Sequence, residues 1–220
     1  MGGVTYSGDT RVGGPADVRE LPELTISKLA VGPMDNNTYL LRCNRTGEAT
    51  LIDAANEADR ILDLIGDTGL AQVITTHRHQ DHWQALAEVV GATNARTVAH
   101  PDDSDALPVS VDVPVGHGAT IPVGGCALEV VHLRGHTPGS IALRYDEPGG
   151  RTHLFTGDSL FPGGVGKTGS DADFRSLLAD VEERVFAEMA DDTWVYPGHG
   201  KDTTLGAERP QLPEWRERGW

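Results

Sequence analysis

The residues best suited to chemistry in this chain lie in one short segment, residues 76–83, which contains three histidines and one aspartate. These side chains are His77, His79, Asp81 and His82. Imidazole nitrogens and carboxylate oxygens are the ligands that a zinc-like divalent ion binds at roughly 2.0–2.2 Å. Four such groups so close in the chain cannot all reach one ion without strain. The segment therefore predicts a site for two neighbouring ions.

Three later segments each end an apolar strand pattern with a glycine beside one further candidate ligand. The three pairs are Gly135-His136, Gly157-Asp158 and Gly198-His199. Glycine allows the backbone to turn tightly and to approach a neighbour closely. We therefore expect these strand ends to converge on the histidine-rich segment.

The candidate ligands divide into two sets and a bridge. The predicted ligands of the first ion are His77, His79 and His136, those of the second ion are Asp81, His82 and His199, and Asp158 is predicted to bridge them. A bridging carboxylate holds two ions near the roughly 3.5–4 Å separation of two-metal hydrolytic sites. Zinc is the expected metal because it suits nitrogen and carboxylate ligands, although the same set accepts iron or manganese.

The surrounding sequence alternates between strand and helix patterns that would position these residues. An apolar β-branched run precedes the histidine-rich segment and helical spacing follows it from Trp83, so the segment is predicted to form a strand-to-helix loop. The most regular helix pattern covers Ser170 to Met189, with Ser170 and Asp173 placed to cap it. Residues 101–108 are acidic and are expected to be exposed. Other strand patterns occupy residues 24–29, 37–43, 49–54, 96–100, 126–133, 141–145, 153–156 and 193–196.

Length and composition favour one domain. We predict a tail at residues 1–22, rich in glycine, proline and aspartate, followed by a domain at residues 23–220. No apolar run approaches the roughly 18 residues needed to span a bilayer. The N-terminus lacks the basic start and apolar stretch of a secretory signal. We therefore expect a cytoplasmic protein with no membrane partner.

Charge and the remaining side chains limit the other functions. The formal net charge of −15 would repel a phosphate backbone, so nucleic acid is not expected as a partner. The sequence leaves the oligomeric state open. Cys43 and Cys126 lie in apolar segments and are expected to be reduced core thiols. Among the other histidines, His100 is expected to come nearest the site. Tyr39 is expected to be a core residue.

Four ordered motifs resemble those of the metallo-β-lactamase superfamily from about residue 24 onward. Residues 77–82 match HxHxDH, and the later ligands lie in GHTPGS, FTGDSLF and YPGHG. The resemblance implies an α/β (α+β) fold, a four-layer αβ/βα sandwich of two mixed β-sheets with helices on the outer faces. It places the metals at one edge of the sandwich.

Within this superfamily, Asp158 is similar to the bridging aspartate of the glyoxalase II type, whereas the zinc β-lactamases carry cysteine or lack this carboxylate. The resemblance implies a thioesterase that acts on a small hydroxyacyl-thiol conjugate through a hydroxide shared by two ions. Asp81 would bind the second ion and orient that hydroxide. Lys167 is similar to the lysine that meets the carboxylate of the glutathione moiety. Thr76, Asp53 and Ser159 are candidates for supporting the ligands from outside.

The chain departs from the long glyoxalase II enzymes. Gly169 and Leu143 stand where those enzymes carry tyrosines, and only about twenty residues follow His199, where they carry a helical domain. These features resemble the short hydroxyacylglutathione-hydrolase-like branch.

Two other activities are compatible with the same ligands. One is a persulfide dioxygenase, which uses a single iron held by two histidines and an aspartate. Its typical Arg-Thr-Asp-Phe and PAHD sequences differ from residues 167–170 and 197–200 here, which favours the hydrolase. The other is a lactonase, which substrate shape alone would distinguish.

Overall fold

Two mixed β-sheets form the centre of residues 6–219, the part of the chain that the computed structural model describes. The first sheet follows chain order through β1 (Asp17–Glu20), β2 (Leu24–Val31), β3 (Asn36–Cys43), β4 (Ala49–Ile52), β5 (Gln72–Ile74), β6 (Arg96–Ala99) and β7 (Val113–Pro114). Pairing is antiparallel from β1 to β4 and parallel from β4 to β7.

The second sheet and a small hairpin use the later strands. These strands are β8 (Thr120–Val123), β9 (Cys126–His132), β10 (Ile141–Asp146), β11 (Thr152–Gly157), β12 (Leu160–Phe161), β13 (Gly164–Val165), β14 (Trp194–Pro197) and β15 (Thr203–Thr204). The sheet order is β15-β14-β11-β10-β9-β8, and β12 pairs with β13 alone. Within the sheet, β11 and β14 are parallel and the other pairs are antiparallel.

Helices cover the outer face of each sheet. They are α1 (Ala58–Ile65), α2 (Leu86–Thr93), α3 (Pro101–Ser104), α4 (Asp171–Val181), α5 (Leu205–Glu208) and α6 (Leu212–Arg218). Apolar residues of α1 and α2 pack on the first sheet, and those of α4 and α6 pack on the second. None of the helices within residues 6–219 is both long and apolar enough to cross a bilayer.

The faces of the sheets follow the period of two that a strand imposes. Leu41 points into the core between the sheets, whereas its neighbour Leu40 packs toward α1 and α2. Phe155 and Leu154 divide in the same way between the central core and the layer of α4. The layer order of helix, sheet, sheet and helix confirms the four-layer sandwich.

Strand direction brings the candidate ligands to one edge of the sandwich. In the second sheet, β11 and β14 run parallel, so Asp158 and His199 follow strand ends at the same edge. The loop that carries His136 joins β9 to β10 at that edge, because β10 is antiparallel to β11. In the first sheet, residues 76–82 follow β5. A backbone bridge between Asn36 and His199 joins the two sheets there.

Two predicted helices differ in part from the structure. The start of α4 is confirmed, since the Ser170 hydroxyl accepts a hydrogen bond from the Asp173 amide at 3.2 Å, but the helix widens beyond Val181 into a π-type turn. A helix beginning at Trp83 is wrong, because α2 begins only at Leu86. The amides of residues 84 and 85 donate instead to the carbonyls of residues 55 and 54.

The segment predicted to be a tail contributes to the sheet. Within residues 6–22, β1 pairs along β2, and the Tyr6 hydroxyl donates to Asp202 at 2.6 Å. Residues 1–5 lie outside the described part of the chain, and the domain boundary after residue 22 stays a prediction.

Cys43 and Cys126 are buried free thiols, as expected. Tyr39 is a core residue whose hydroxyl donates to the carbonyl of Pro197 at 2.6 Å.

Candidate metal centre

The three histidines predicted for the first ion aim one ring nitrogen each at a common point. His77 Nε2 lies 3.1 Å from His79 Nδ1, and His136 Nε2 lies 2.9 Å from His79 Nδ1 and 3.2 Å from His77 Nε2. Ligands bonded at 2.0–2.1 Å to a tetrahedral ion are about 3.3 Å apart. The triangle therefore has nearly the size that one zinc-like ion requires.

The second predicted set forms a similar triangle beside the first. His199 Nε2 lies 3.2 Å from His82 Nε2 and 3.2 Å from Asp81 Oδ2. The remaining side, between His82 Nε2 and Asp81 Oδ2, is 3.5 Å. Two nitrogens and one carboxylate oxygen could hold a second divalent ion.

Asp158 lies between the two triangles. Its Oδ2 atom is 3.6 Å from His136 Nε2 and 3.4 Å from His199 Nε2, so one carboxylate reaches a member of each set. Its Oδ1 atom is buried, lies 3.3 Å from His82 Nε2, and accepts no hydrogen bond from residues 6–219. A buried carboxylate oxygen without a donor is costly unless a cation neutralises it. The geometry fits a carboxylate that bridges two ions.

Hydrogen bonds behind the site assign the tautomers of His82 and His77. His82 Nδ1 donates to Asp53 Oδ2 at 2.8 Å, and His77 Nδ1 donates to Thr76 Oγ1 at 3.1 Å. The Thr76 hydroxyl itself donates to Asp53 at 2.7 Å, so it is free to accept from His77. Both Nε2 lone pairs therefore face the centre, as metal binding requires.

Backbone carbonyls assign the same tautomer to the other two Nε2 donors. His136 Nδ1 donates to the carbonyl of Lys167 at 2.6 Å, and His199 Nδ1 donates to the carbonyl of Met34 at 2.9 Å. Four Nε2 atoms and at least one carboxylate thus face the same centre. A divalent cation is the group that such a donor set accommodates.

We expect Asp53→Asn to weaken metal binding at the second set by roughly 10- to 100-fold. Both oxygens of Asp53 accept hydrogen bonds, from His82, from the Thr76 hydroxyl and, at 2.7 Å, from the Thr76 amide. An asparagine must turn an NH2 group toward one of these donors. Asparagine can adopt the backbone conformation of residue 53, because it tolerates the positive φ of 56° at this position. Zinc titration against a chelator measures the loss.

The matched control for this variant is Asp63→Asn, on the exposed side of α1. Equal zinc affinity in the two variants would show that Asp53 does not support the site.

Burial and neighbouring charge pull the pKa values of the site in different directions. Burial lowers the pKa of His77 well below its usual value, so this imidazole is neutral. Burial alone would also lower the pKa of His82, but the Asp158 and Asp53 carboxylates outweigh it and raise that pKa to about 10. Burial would raise the pKa of Asp158, yet the adjacent His82 holds it well below its usual range. Asp158 is therefore ionised, and without a metal His82 also carries a proton on Nε2, which a bound divalent ion would replace.

Two positions next to the ligands require glycine, because neighbouring atoms lie too close to the backbone for a side chain. A Cβ atom on Gly198 would lie 2.2 Å from Asp158 Oδ1 and 2.7 Å from His82 Cε1. Gly157 has a φ of +48°, and its Cβ would lie 2.7 Å from Thr76 Oγ1. These contacts agree with the prediction that glycines let the strand ends converge.

Asn36 is a site residue that was not predicted from the sequence. Its Nδ2 group donates to Asp81 Oδ2 at 2.9 Å, and its backbone pairs with His199. It therefore fixes the orientation of Asp81. The available signal was an Asn-Asn pair at the start of a buried strand, where polar side chains need partners.

A cavity of about 450 Å³ opens over the ligands. It is lined by Met34, His79, Asp81, His136, Asp158, Lys167, Thr168, Gly169 and His199. Lys167 is exposed at its wall, and Gly169 leaves the adjacent wall without a side chain. The cavity can accept a small molecule with an anionic end near Lys167.

Two other predicted neighbours lie differently. His100 does not join the cluster but stacks on His132 with 4.0 Å between ring centroids, and its Nδ1 accepts from the Asp102 amide that begins α3. His100 is therefore a packing residue outside the cluster, and its ring caps α3. Ser159 Oγ is buried and has no hydrogen-bond partner within residues 6–219.

Comparison with known proteins agrees with this fold. Residues 31–199 match the model of the metallo-beta-lactamase superfamily. A hydroxyacylglutathione hydrolase from a Polaromonas species is 36% identical over 168 residues, which cover 74% of this chain and 62% of that protein. This chain thus spans less than two thirds of the length of that relative.

Solved structures give the same result. The structure of ETHE1 from Myxococcus xanthus is 29% identical, with a TM-score of 0.74, and the match covers 86% of this chain and 83% of that one. TTHA1623 in a di-iron-bound form is 32% identical, with a TM-score of 0.70, over 83% of this chain and 96% of that one. The chain belongs to the metallo-β-lactamase superfamily.

Proposed function

We propose that this protein is a binuclear thioesterase that hydrolyses hydroxyacyl-thiol conjugates. The observation that carries the proposal is the pair of ligand triangles with Asp158 between them, each triangle having sides of 2.9–3.5 Å. The similarity to hydroxyacylglutathione hydrolases supports this substrate class. An aspartate at the bridging position supports the glyoxalase II type over the zinc β-lactamases.

In this proposal the side chains hold two divalent ions and orient the reactants. His77, His79 and His136 would hold one ion, Asp81, His82 and His199 would hold the other, and Asp158 would be available to both. When bound, such an ion pair supplies a hydroxide nucleophile near neutral pH and positive charge for a developing oxyanion. Asp81, held by Asn36, accepts a hydrogen bond from the attacking water and directs it at the thioester carbonyl. A thiolate leaving group needs little protonation.

The metal identity is also a proposal. Nitrogen and carboxylate ligands suit zinc, and we expect zinc on that ground. The di-iron form of TTHA1623 supports a pair of ions and makes iron the main competitor.

Purified protein, prepared without added metal, tests the proposal by two measurements. We expect nearly two zinc or iron ions per chain by plasma mass spectrometry, and hydrolysis of S-lactoylglutathione followed by ultraviolet absorbance. One iron per chain with oxygen uptake on glutathione persulfide, and no hydrolysis, would establish the dioxygenase instead. Turnover of a lactone without turnover of the thioester would establish the lactonase.

For Lys167→Met we expect KM for S-lactoylglutathione to rise about tenfold, with little change in kcat. Lys167 lines the cavity and is not one of the proposed ligands, so we expect its ammonium group to contribute to binding of an anionic end in both ground and transition states. Tenfold corresponds to about 1.4 kcal/mol, the size of one hydrogen bond to a charged group. Steady-state kinetics measure both constants.

Lys201→Met is the matched control, because Lys201 is exposed and follows the His199 loop without lining the cavity. The role of Lys167 is wrong if the two variants have the same KM.

A further inference from the structure

Asp103 is a buried carboxylate that is not one of the predicted ligands. It lies in α3 and is only 2% exposed, although the acidic segment around it was expected to be exposed. Its neighbours Asp102 and Asp105 in the same segment are exposed. Burying one carboxylate of an otherwise solvated acidic segment is costly unless donors compensate for it.

The donors to Asp103 come from two separate loops. The Arg78 amide donates to Oδ2 at 3.0 Å, the Thr137 hydroxyl donates to Oδ2 at 2.5 Å, and the Gly139 amide donates to Oδ1 at 2.9 Å. Arg78 lies between two proposed ligands of the first ion, and Thr137 directly follows the third. One carboxylate thus joins the two loops that supply the whole first set.

Close packing makes this junction rigid. A Cβ atom on Gly139 would lie 2.8 Å from the backbone nitrogen and from Cγ of Asp103, so α3 is in direct contact with the loop. Thr137 is also bound to Ser140, by its amide at 3.1 Å and by its hydroxyl at 2.7 Å. The loop therefore cannot shift relative to α3 without breaking several contacts.

We propose that Asp103 is a positioning residue that sets the separation of His136 from His77 and His79, and so tunes the affinity of the first ion alone. The proposal rests on the metal centre described under the proposed function. An ionised carboxylate suits this place because it only accepts hydrogen bonds, and all three partners are donors. Within residues 6–219, its hydrogen bonds involve no residue of the second set.

The test compares Asp103→Asn with Asp105→Asn, which makes the same change in charge two residues away on an exposed side chain. Zinc affinities are measured by competition with a chelator in two backgrounds. In His199→Ala, which retains the first set, we expect Asp103→Asn to weaken zinc binding about tenfold. In His79→Ala, which retains the second set, we expect no change, and Asp105→Asn should have no effect in either background.

A purely structural role would weaken the binding of both ions, so equal losses of zinc affinity in the two backgrounds would overturn the proposal. Equal zinc affinities for the Asp103 and Asp105 variants would also overturn it. Thr137→Val removes only the hydroxyl that donates to Asp103 and serves if Asp103→Asn does not fold. It should also weaken the binding of the first ion, and an unchanged zinc affinity would count against the proposal.

These titrations use zinc without a thioester. Failure to hydrolyse S-lactoylglutathione would therefore overturn the proposed function and leave this inference standing. A chain that binds no zinc through these histidines would overturn both.

Discussion

Replacing Asp158 by alanine is expected to reduce kcat/KM for S-lactoylglutathione by about a thousandfold or more, and to reduce bound metal from nearly two ions per chain to one or fewer. Asp158 is the only side chain of residues 6–219 whose carboxylate lies within 4.0 Å of His77, His82, His136 and His199 together. Without it, five imidazoles and the single carboxylate of Asp81 would surround the two dications. A thousandfold loss corresponds to about 4 kcal/mol of transition-state stabilisation.

Metal analysis by plasma mass spectrometry and steady-state kinetics on the same preparation check this result together. Asp158→Asn keeps the volume and removes the charge, so it separates the loss of charge from the creation of a cavity. Asp67→Ala, at an exposed position after α1, is the control and should retain both metal and turnover. Two ions per chain with normal turnover in Asp158→Ala would mean that this carboxylate does not bridge.

The ligand set was predictable because its residue types and their order along the chain are distinctive. Imidazoles and carboxylates clustered within six positions have few other uses, and glycine-flanked ligands at strand ends occur where backbones converge. The structure places all seven side chains together at one edge, and the parallel pairing of β11 with β14 explains why. Their binding of metal stays a prediction.

Asp53 and Thr76 were predicted as supporting residues, and both bond to proposed ligands. Asn36, Lys28 and Asp103 were not predicted, because each depends on a partner far along the chain. Asn36 acts on Asp81 across 45 positions, and Lys28 on Asp202 across 174. A lone asparagine or lysine in a strand pattern has many possible environments. Asp103 was misjudged for the same reason, since an acidic segment is usually solvated and its buried member is identified only by the loop that covers it.

Lys28→Met is expected to lower the free energy of unfolding by about 3–5 kcal/mol, the cost of removing one partner from a buried ion pair. The Lys28 side chain is fully buried, and its ammonium donates to Asp202 Oδ1 at 2.6 Å and to the carbonyls of Gly200 and Gly8 at 2.7 and 2.8 Å. All three ammonium protons are therefore used. Methionine fills a similar volume but leaves the Asp202 carboxylate buried without its counter-charge. Urea unfolding measures the difference.

The pH dependence separates this charge effect from a packing defect. Burial raises the pKa of Asp202 even with Lys28 present, so protonation of this carboxyl favours the folded state. Removing the ammonium raises that pKa further, and the cost of the buried charge should fall as the pH is lowered toward the pKa and Asp202 becomes neutral. We expect the difference between Lys28→Met and the wild type to shrink from pH 7 to pH 5. Lys201→Met, the exposed control, should match the wild type throughout, and a difference for Lys28→Met that is constant with pH would point to packing alone.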